Sequence, residues 1–172
     1  MAARPAEARP YDQGMGPGDL RTLSELLRRQ RLLSLAVVVD DLPVVGLLPF
    51  VAAPALASLV VHASRLAAHT AGLGDDQPWS GVVAEPDAPE RDPLQTPRVL
   101  LRGRSRAIEN PEVLARIREV WRGRFPGAAM TLDLADFTFF SLDIEGGRLV
   151  AGFARALNLS SEHLAQAAAV ST

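Results

Sequence analysis

The stretch Leu42–Val61, LPVVGLLPFVAAPALASLVV, decides the fold. It runs twenty residues without a charge, about the length a membrane-spanning helix needs. Pro43, Pro49 and Pro54 divide it into short pieces, and Gly46 weakens it further. An interior proline removes a helical hydrogen bond and clashes with the preceding turn, so a continuous helix here is strongly disfavoured. Val-rich pieces between Pro and Gly read instead as consecutive buried strands. No membrane association is expected.

The neighbouring sequence extends this reading on both sides. Upstream, Leu32–Val39 (LLSLAVVV) ends at Asp40-Asp41, a turn. Downstream, Pro54 marks a second turn and Ala57–Ala63 (ASLVVHA) forms a third strand after Pro43–Ala53. Short turns between adjacent strands predict an antiparallel meander. Trp79–Ala84 is a fourth strand. Glu85–Pro97 holds Pro86, Pro89, Pro93 and Pro97 and reads as a surface loop. Arg98–Ile108 is a long strand whose alternating Arg102, Arg104 and Arg106 fall on one face. Phe137–Ile144 and Arg148–Phe153 are expected to form a hairpin turning at Gly146-Gly147.

Helices fill the gaps. Asp19–Arg31 carries Leu20, Leu23, Leu26 and Leu27 at amphipathic spacing. Ser64 is expected to cap a helix running toward Gly72 and Gly74. Asn110-Pro111 opens another helix, Pro126 a short helical piece, and Ser160 or Ser161 a last one to Ala169. Strands and helices do not alternate strictly, which argues against a doubly wound sheet. The expected class is α+β: an antiparallel barrel of about six to seven strands with flanking helices. Residues 1–18, rich in Pro and Gly and without an apolar core, read as a disordered leader and not a signal peptide, with one domain over residues 19–172.

Composition removes several chemistries. The 172 residues contain no Cys, and all 18 basic residues are Arg. There is then no thiol nucleophile, Cys-ligated metal or disulfide, and no Lys for a Walker-type loop or a Schiff base. A net charge of −2 does not suit a general nucleic-acid binder. The three His residues, His62, His69 and His163, show no metal-ligand spacing. Asp40-Asp41 and Asp75-Asp76 sit in turns, where local backbone bonding favours Asp.

One junction stands out. Ser64, Arg65, His69 and Thr70 bring a hydroxyl, a guanidinium fork and a second pair of polar groups to a strand end, which is what a phosphate site without Lys would use. The same residues also fit a plain cap with a solvated Arg and a surface His. The face of Arg98, Arg102, Arg104 and Arg106 likewise suits either an anionic ligand or a solvated strand face paired with acids.

The segments Leu47–Phe50 (LLPF), His62–Leu73 (HASRLAAHTAGL), Ala84–Gly103, Asp133–Leu142 (DLADFTFFSL) and Gly152–Ala156 (GFARA) occur in an order that resembles the pyridoxamine 5′-phosphate oxidase-like FMN-binding split barrels. The resemblance is nearest to the HugZ-type haem-utilisation proteins and the CREG-like β-barrels. With neither a signal peptide nor a membrane span read in the sequence, a cytoplasmic location is expected; the resemblance implies a homodimer with FMN at the subunit interface and flavin-dependent oxidoreductase activity on a small molecule. Ser64, Arg65, His69 and Thr70 would hold the phosphate, and Leu48, Pro49 and Phe50 would lie along the flavin ring. Arg98, Arg102 or Arg155 would close the site from the partner. This chain has Gly46 where the family usually has Ser, and Gly72 where it often has Asn. Two alternatives follow from the same resemblance: haem binding or degradation, with contacts from His62, His69 or Arg155, and a cofactor-free interaction module.

Overall fold

The computed structural model describes residues 14–152 and 155–170. Residues 1–13, most of the expected leader, lie outside them, as do Phe153 and Ala154 of the GFARA motif. The first helix, α1 (Pro17–Arg29), begins two residues before Asp19. Its N-terminus is secured by Asp19, whose carboxylate accepts from the Gly16 N–H at 2.8 Å.

Seven antiparallel strands follow: β1 (Leu32–Val39), β2 (Leu42–Ala52), β3 (Ser58–Ser64), β4 (Gln77–Ala84), β5 (Arg98–Ala107), β6 (Phe137–Gly152) and β7 (Arg155–Leu159). Their order is β3-β2-β1-β4-β5-β6-β7, and a further β3–β6 pairing closes the first six into a barrel. β7 is an added strand on β6. The expected α+β barrel is therefore the one observed. The β1–β2 turn is Asp40-Asp41, both at positive φ (49° and 61°). This is the two-residue geometry whose twist matches its strands, and Asp tolerates it.

Alternation sorts each strand. Leu33, Leu35 and Val37 of β1, Leu48 and Phe50 of β2, and Leu59 and Val61 of β3 fill the barrel, joined by Val99, Leu101, Leu142 and Leu149. Helix α1 adds Leu23, Leu26 and Leu27 to this core, and α3 (Ser161–Ala168) adds Leu164 and Ala167. Arg28 joins these helices by donating to the Ala168 carbonyl at 3.0 Å. No helix among the described residues is long and apolar enough to cross a membrane.

Two expectations are corrected. Gly146-Gly147 is not a turn. β6 runs straight through it for 16 residues, pairing with β5 across a register shift at Arg102/Gly103. A Cβ on Gly147 would overlap the Leu100 carbonyl, so these residues let β5 and β6 close up beside a bulge. The reversal falls later, between Gly152 and Arg155. The second correction concerns Ser64. It is the last residue of β3, and the segment beyond it forms only a short 3-10 helix, Ala68–Gly72, whose flanking residue is Ala67. Ser64 does not cap it: its oxygen accepts from the Leu66 N–H at 3.1 Å, two residues short of the helix, which starts only at Ala68.

The outer faces of the barrel differ. Helix α2 (Pro111–Arg124) and the 3-10 segment Pro126–Asp133 cover the β3–β6 side, burying Trp121, Phe125, Leu132 and Phe139 in a second cluster. α2 starts as expected, with the Asn110 side chain accepting from Glu112 and Val113 N–H groups and Pro111 behind it. The β2–β1–β4 side carries no helix.

Candidate functional site

The polar segment after β3 is organised by the loop that precedes β6. The Ser64 hydroxyl donates to the Asp136 carboxylate at 2.5 Å, a charge-assisted bond. The Arg65 backbone N–H donates to the Asp136 carbonyl at 2.8 Å, and its Nη2 donates to the Ala135 carbonyl at 3.2 Å. Thr70 Oγ1 donates back to the Ser64 carbonyl at 2.6 Å. Ser64, Arg65 and Thr70 are thus brought together, and Asp136 is the residue that sequence reading missed. Nothing in its spacing from Ser64 marks it, since only the β3–β6 pairing, Ser64 opposite Phe137, makes them neighbours.

His69 reaches the other way, onto β2. A Cβ on Gly46 would overlap His69 Nδ1, and one on Gly72 would meet Val37 and the Val38 carbonyl at 2.8 Å. The two glycines therefore allow the Ala68–Gly72 turn to sit directly on β1 and β2, with the imidazole lying where a residue-46 side chain would be. Burial lowers the His69 pKa, so the ring is neutral at pH 7.

The strand beneath it carries the three residues expected beside a flavin ring. Leu48 and Phe50 point into the barrel, and only Pro49 presents its side chain outward. The outward positions around it form a continuous surface. Pro43, Val45, Leu47 and Pro49 of β2 stand opposite Val38, Ala36, Ser34 and Leu32 of β1. Ala36 and Ser34 in turn pair with Ser80 and Val82 of β4. None carries a charge. Val45 is 71% exposed, Leu47 65%, Val38 53% and Leu32 52%. An uncharged patch of this kind marks an interaction surface.

The remaining candidates lie apart within one chain. Arg98 and Arg102 sit on β5 opposite Val150 and Gly146, far along the barrel from Ser64. Arg98 donates to the Leu94 and Thr96 carbonyls. Arg155 forms a two-point ion pair with Asp19 at 2.6 and 2.5 Å, tying β7 to α1. This guanidinium holds the nearly buried Asp19 carboxyl below the usual carboxylate range.

His62 is enclosed. It stacks on Phe139 with ring centroids 4.0 Å apart, meets Trp121 edge-on at 5.7 Å and is only 6% exposed. Burial, reinforced by the charge of Arg118, lowers its pKa to about 4. Its Nδ1 and the Trp121 Nε1 are buried without a hydrogen-bond partner. Of the three residues expected to touch a haem, His69 alone is neither enclosed by α2 nor held in an ion pair; it is half-buried, with its ring over Gly46. No group of three His, Asp or Glu that could hold a metal ion occurs among the described residues.

No protein-family model and no curated protein sequence matches the chain. Solved structures do. A heme binding protein from Mycobacterium smegmatis aligns with a TM-score of 0.73 at 22% identity, over 88% of this chain and 62% of that one. ChuZ from Campylobacter jejuni aligns at 0.74 and 18% identity, over 90% and 63%. An FAD and heme binding protein from M. smegmatis aligns at 0.56 and 21%, over 86% and 72%. The chain thus spans less than two thirds of the first two. At these identities the likeness is one of fold: the chain has the split-barrel fold of the pyridoxamine 5′-phosphate oxidase-like proteins.

Proposed function

We propose that this protein is a homodimer that binds FMN at the subunit interface and acts as a flavin-dependent oxidoreductase. One observation carries the reading: the Ser64–Thr70 segment packs through His69 on the inner side of β2 at Gly46, between Val45 and Leu47, whose side chains stand on the uncharged open face of the same strand. An aromatic ring system needs an apolar platform, and its phosphate needs a cation at the platform's edge. Pro49 and Leu47 offer the first and Arg65 the second. Leu48 and Phe50 contribute the strand backbone and anchor it to the core. A second copy on the open face would bury these side chains and bring in Arg98 or Arg102 from across the interface. Arg155 would have to keep its hold on Asp19 while doing the same.

The residues fit a flavin phosphate on one condition. The only proton of Ser64 Oγ is given to Asp136, and a carboxylate beside a phosphate is repulsive. Asp136 must release Ser64 when phosphate arrives. Arg65, with Nε and Nη1 free of partners among the described residues, then supplies the main charge. His69, neutral, orients the ligand through its ring without adding charge. A bound flavin would supply the electron and hydride chemistry, and the protein would bind, orient and exclude water.

The test is the absorbance of the protein mixed with FMN and passed through a sizing column. Flavin absorbance travelling with a dimer, and lost in Arg65→Ala, is the expected result. A dimer carrying no flavin would overturn the reading in favour of the cofactor-free module. The two M. smegmatis neighbours described as heme binding favour haem as the second reading. A Soret shift with haemin, with no flavin retained, would establish that reading instead.

A further inference from the structure

A groove of about 800 Å³ lies between α2 and the outer face of β3, β5 and β6. That volume is within the range of small-molecule sites, roughly 300–1,000 Å³. It is separate from the segment discussed above. The groove meets β3 at Ser58 and Val60, whereas Ser64 ends the strand, about 13 Å beyond Val60 at the usual rise per residue.

Its walls are apolar, with Val60 on the sheet side and Val113, Ile117 and Val120 on the helix side. α2 seats its C-terminal half through Trp121, while Val113 and Val120 stay 42% and 53% exposed. An amphipathic helix normally buries such residues, so the space beside them is one an apolar ligand would fill favourably.

The charges lining the groove are Arg106, Arg116 and Glu109, with the Asp143 carboxylate beside Arg106. Arg106 is held from one side only: its Nη2 contacts the Asp143 carboxylate at 3.2 and 3.1 Å. Its Nε and Nη1 have no partner among the described residues. Arg116 has no ion pair or side-chain hydrogen bond among them. Two guanidinium groups with free donors on an apolar cleft complement one anionic head on a hydrocarbon body.

We infer that this groove binds an elongated apolar carboxylate, with its chain along Val60, Val113, Ile117 and Val120 and its head group on Arg116 and the free edge of Arg106. The inference stands on the groove alone and does not require a flavin.

Dodecanoate, below its micelle concentration, is the probe, titrated calorimetrically into the full-length protein. Wild type should bind it. Arg116→Gln should weaken binding about tenfold, the size of one charge-assisted hydrogen bond. Val120→Asp, on the exposed helix wall, should weaken it comparably through like-charge repulsion. Methyl dodecanoate should bind wild type and Arg116→Gln equally, and Arg65→Ala should bind dodecanoate like wild type. No binding by wild type would overturn the inference, as would equal dodecanoate affinity in wild type, Arg116→Gln and Val120→Asp. Loss of binding in Arg65→Ala would overturn it as well, by moving the ligand to the Ser64 segment.

Discussion

The two outer faces of this barrel are built from the same alternating pattern and finished in opposite ways. On β3 and β6 the outward residues are His62, Phe137 and Phe139, and α2 lays Trp121 over them. On β1, β2 and β4 the outward residues are small or aliphatic, uncharged, and covered by nothing in the chain. A soluble surface normally interleaves charges. One face is therefore completed within the molecule, and the other has the composition of an interaction surface, which the proposed dimer would cover.

The largest expected effect breaks the open face. Leu47→Asp would bury an unpaired carboxylate in each copy of a dimer, costing several kcal/mol per charge. Dimer dissociation should rise by at least about a thousandfold, read by light scattering across a dilution series. Monomer stability should barely change, because residue 47 is exposed in one chain. Trp121→Ala tests the closed face and should reverse that pattern. Removing a fully buried indole should cost about 3–5 kcal/mol in denaturant unfolding, with dimerisation kept wherever the fold survives.

A pH series sharpens the same contrast. Unfolded His62 takes a proton below about 6.5, while the folded residue stays neutral down to about 4. Between those values the unfolded state binds more protons, so stability falls as pH falls, by on the order of 2 kcal/mol. His62→Phe should flatten that part of the profile in thermal melts. Smallest is Asp136→Asn. Removing the negative charge that holds Ser64 should raise FMN affinity several-fold, measured by flavin fluorescence quenching. A fall in affinity would show that Asp136 organises the site instead of opposing the phosphate.

Much of the barrel is legible in sequence because its signals are local. Asp40-Asp41 forms a two-residue turn wherever it stands between such strands, and Asn110-Pro111 caps and starts a helix with no outside help. Gly146-Gly147 has the same local look as a turn. It is drawn into a continuous strand because β5 offers it a partner through the bulge at Gly103, a contact more than forty residues away in sequence. Ser64 fails as a cap for a similar reason: its pairing with Phe137 of β6 keeps it in β3, four residues before the 3-10 helix begins. The juxtaposition of Ser64, Arg65 and Thr70 follows from their closeness along the chain. The seat of His69 on Gly46, the His62–Trp121 pair and the groove under α2 do not, since each joins elements that only the closed barrel brings together.

Sedimentation velocity of the wild-type protein at micromolar concentration asks whether a second copy completes the proposed cofactor site, which one chain leaves open. A single species of twice the chain mass is expected. A monomer at that concentration would contradict the proposed dimer.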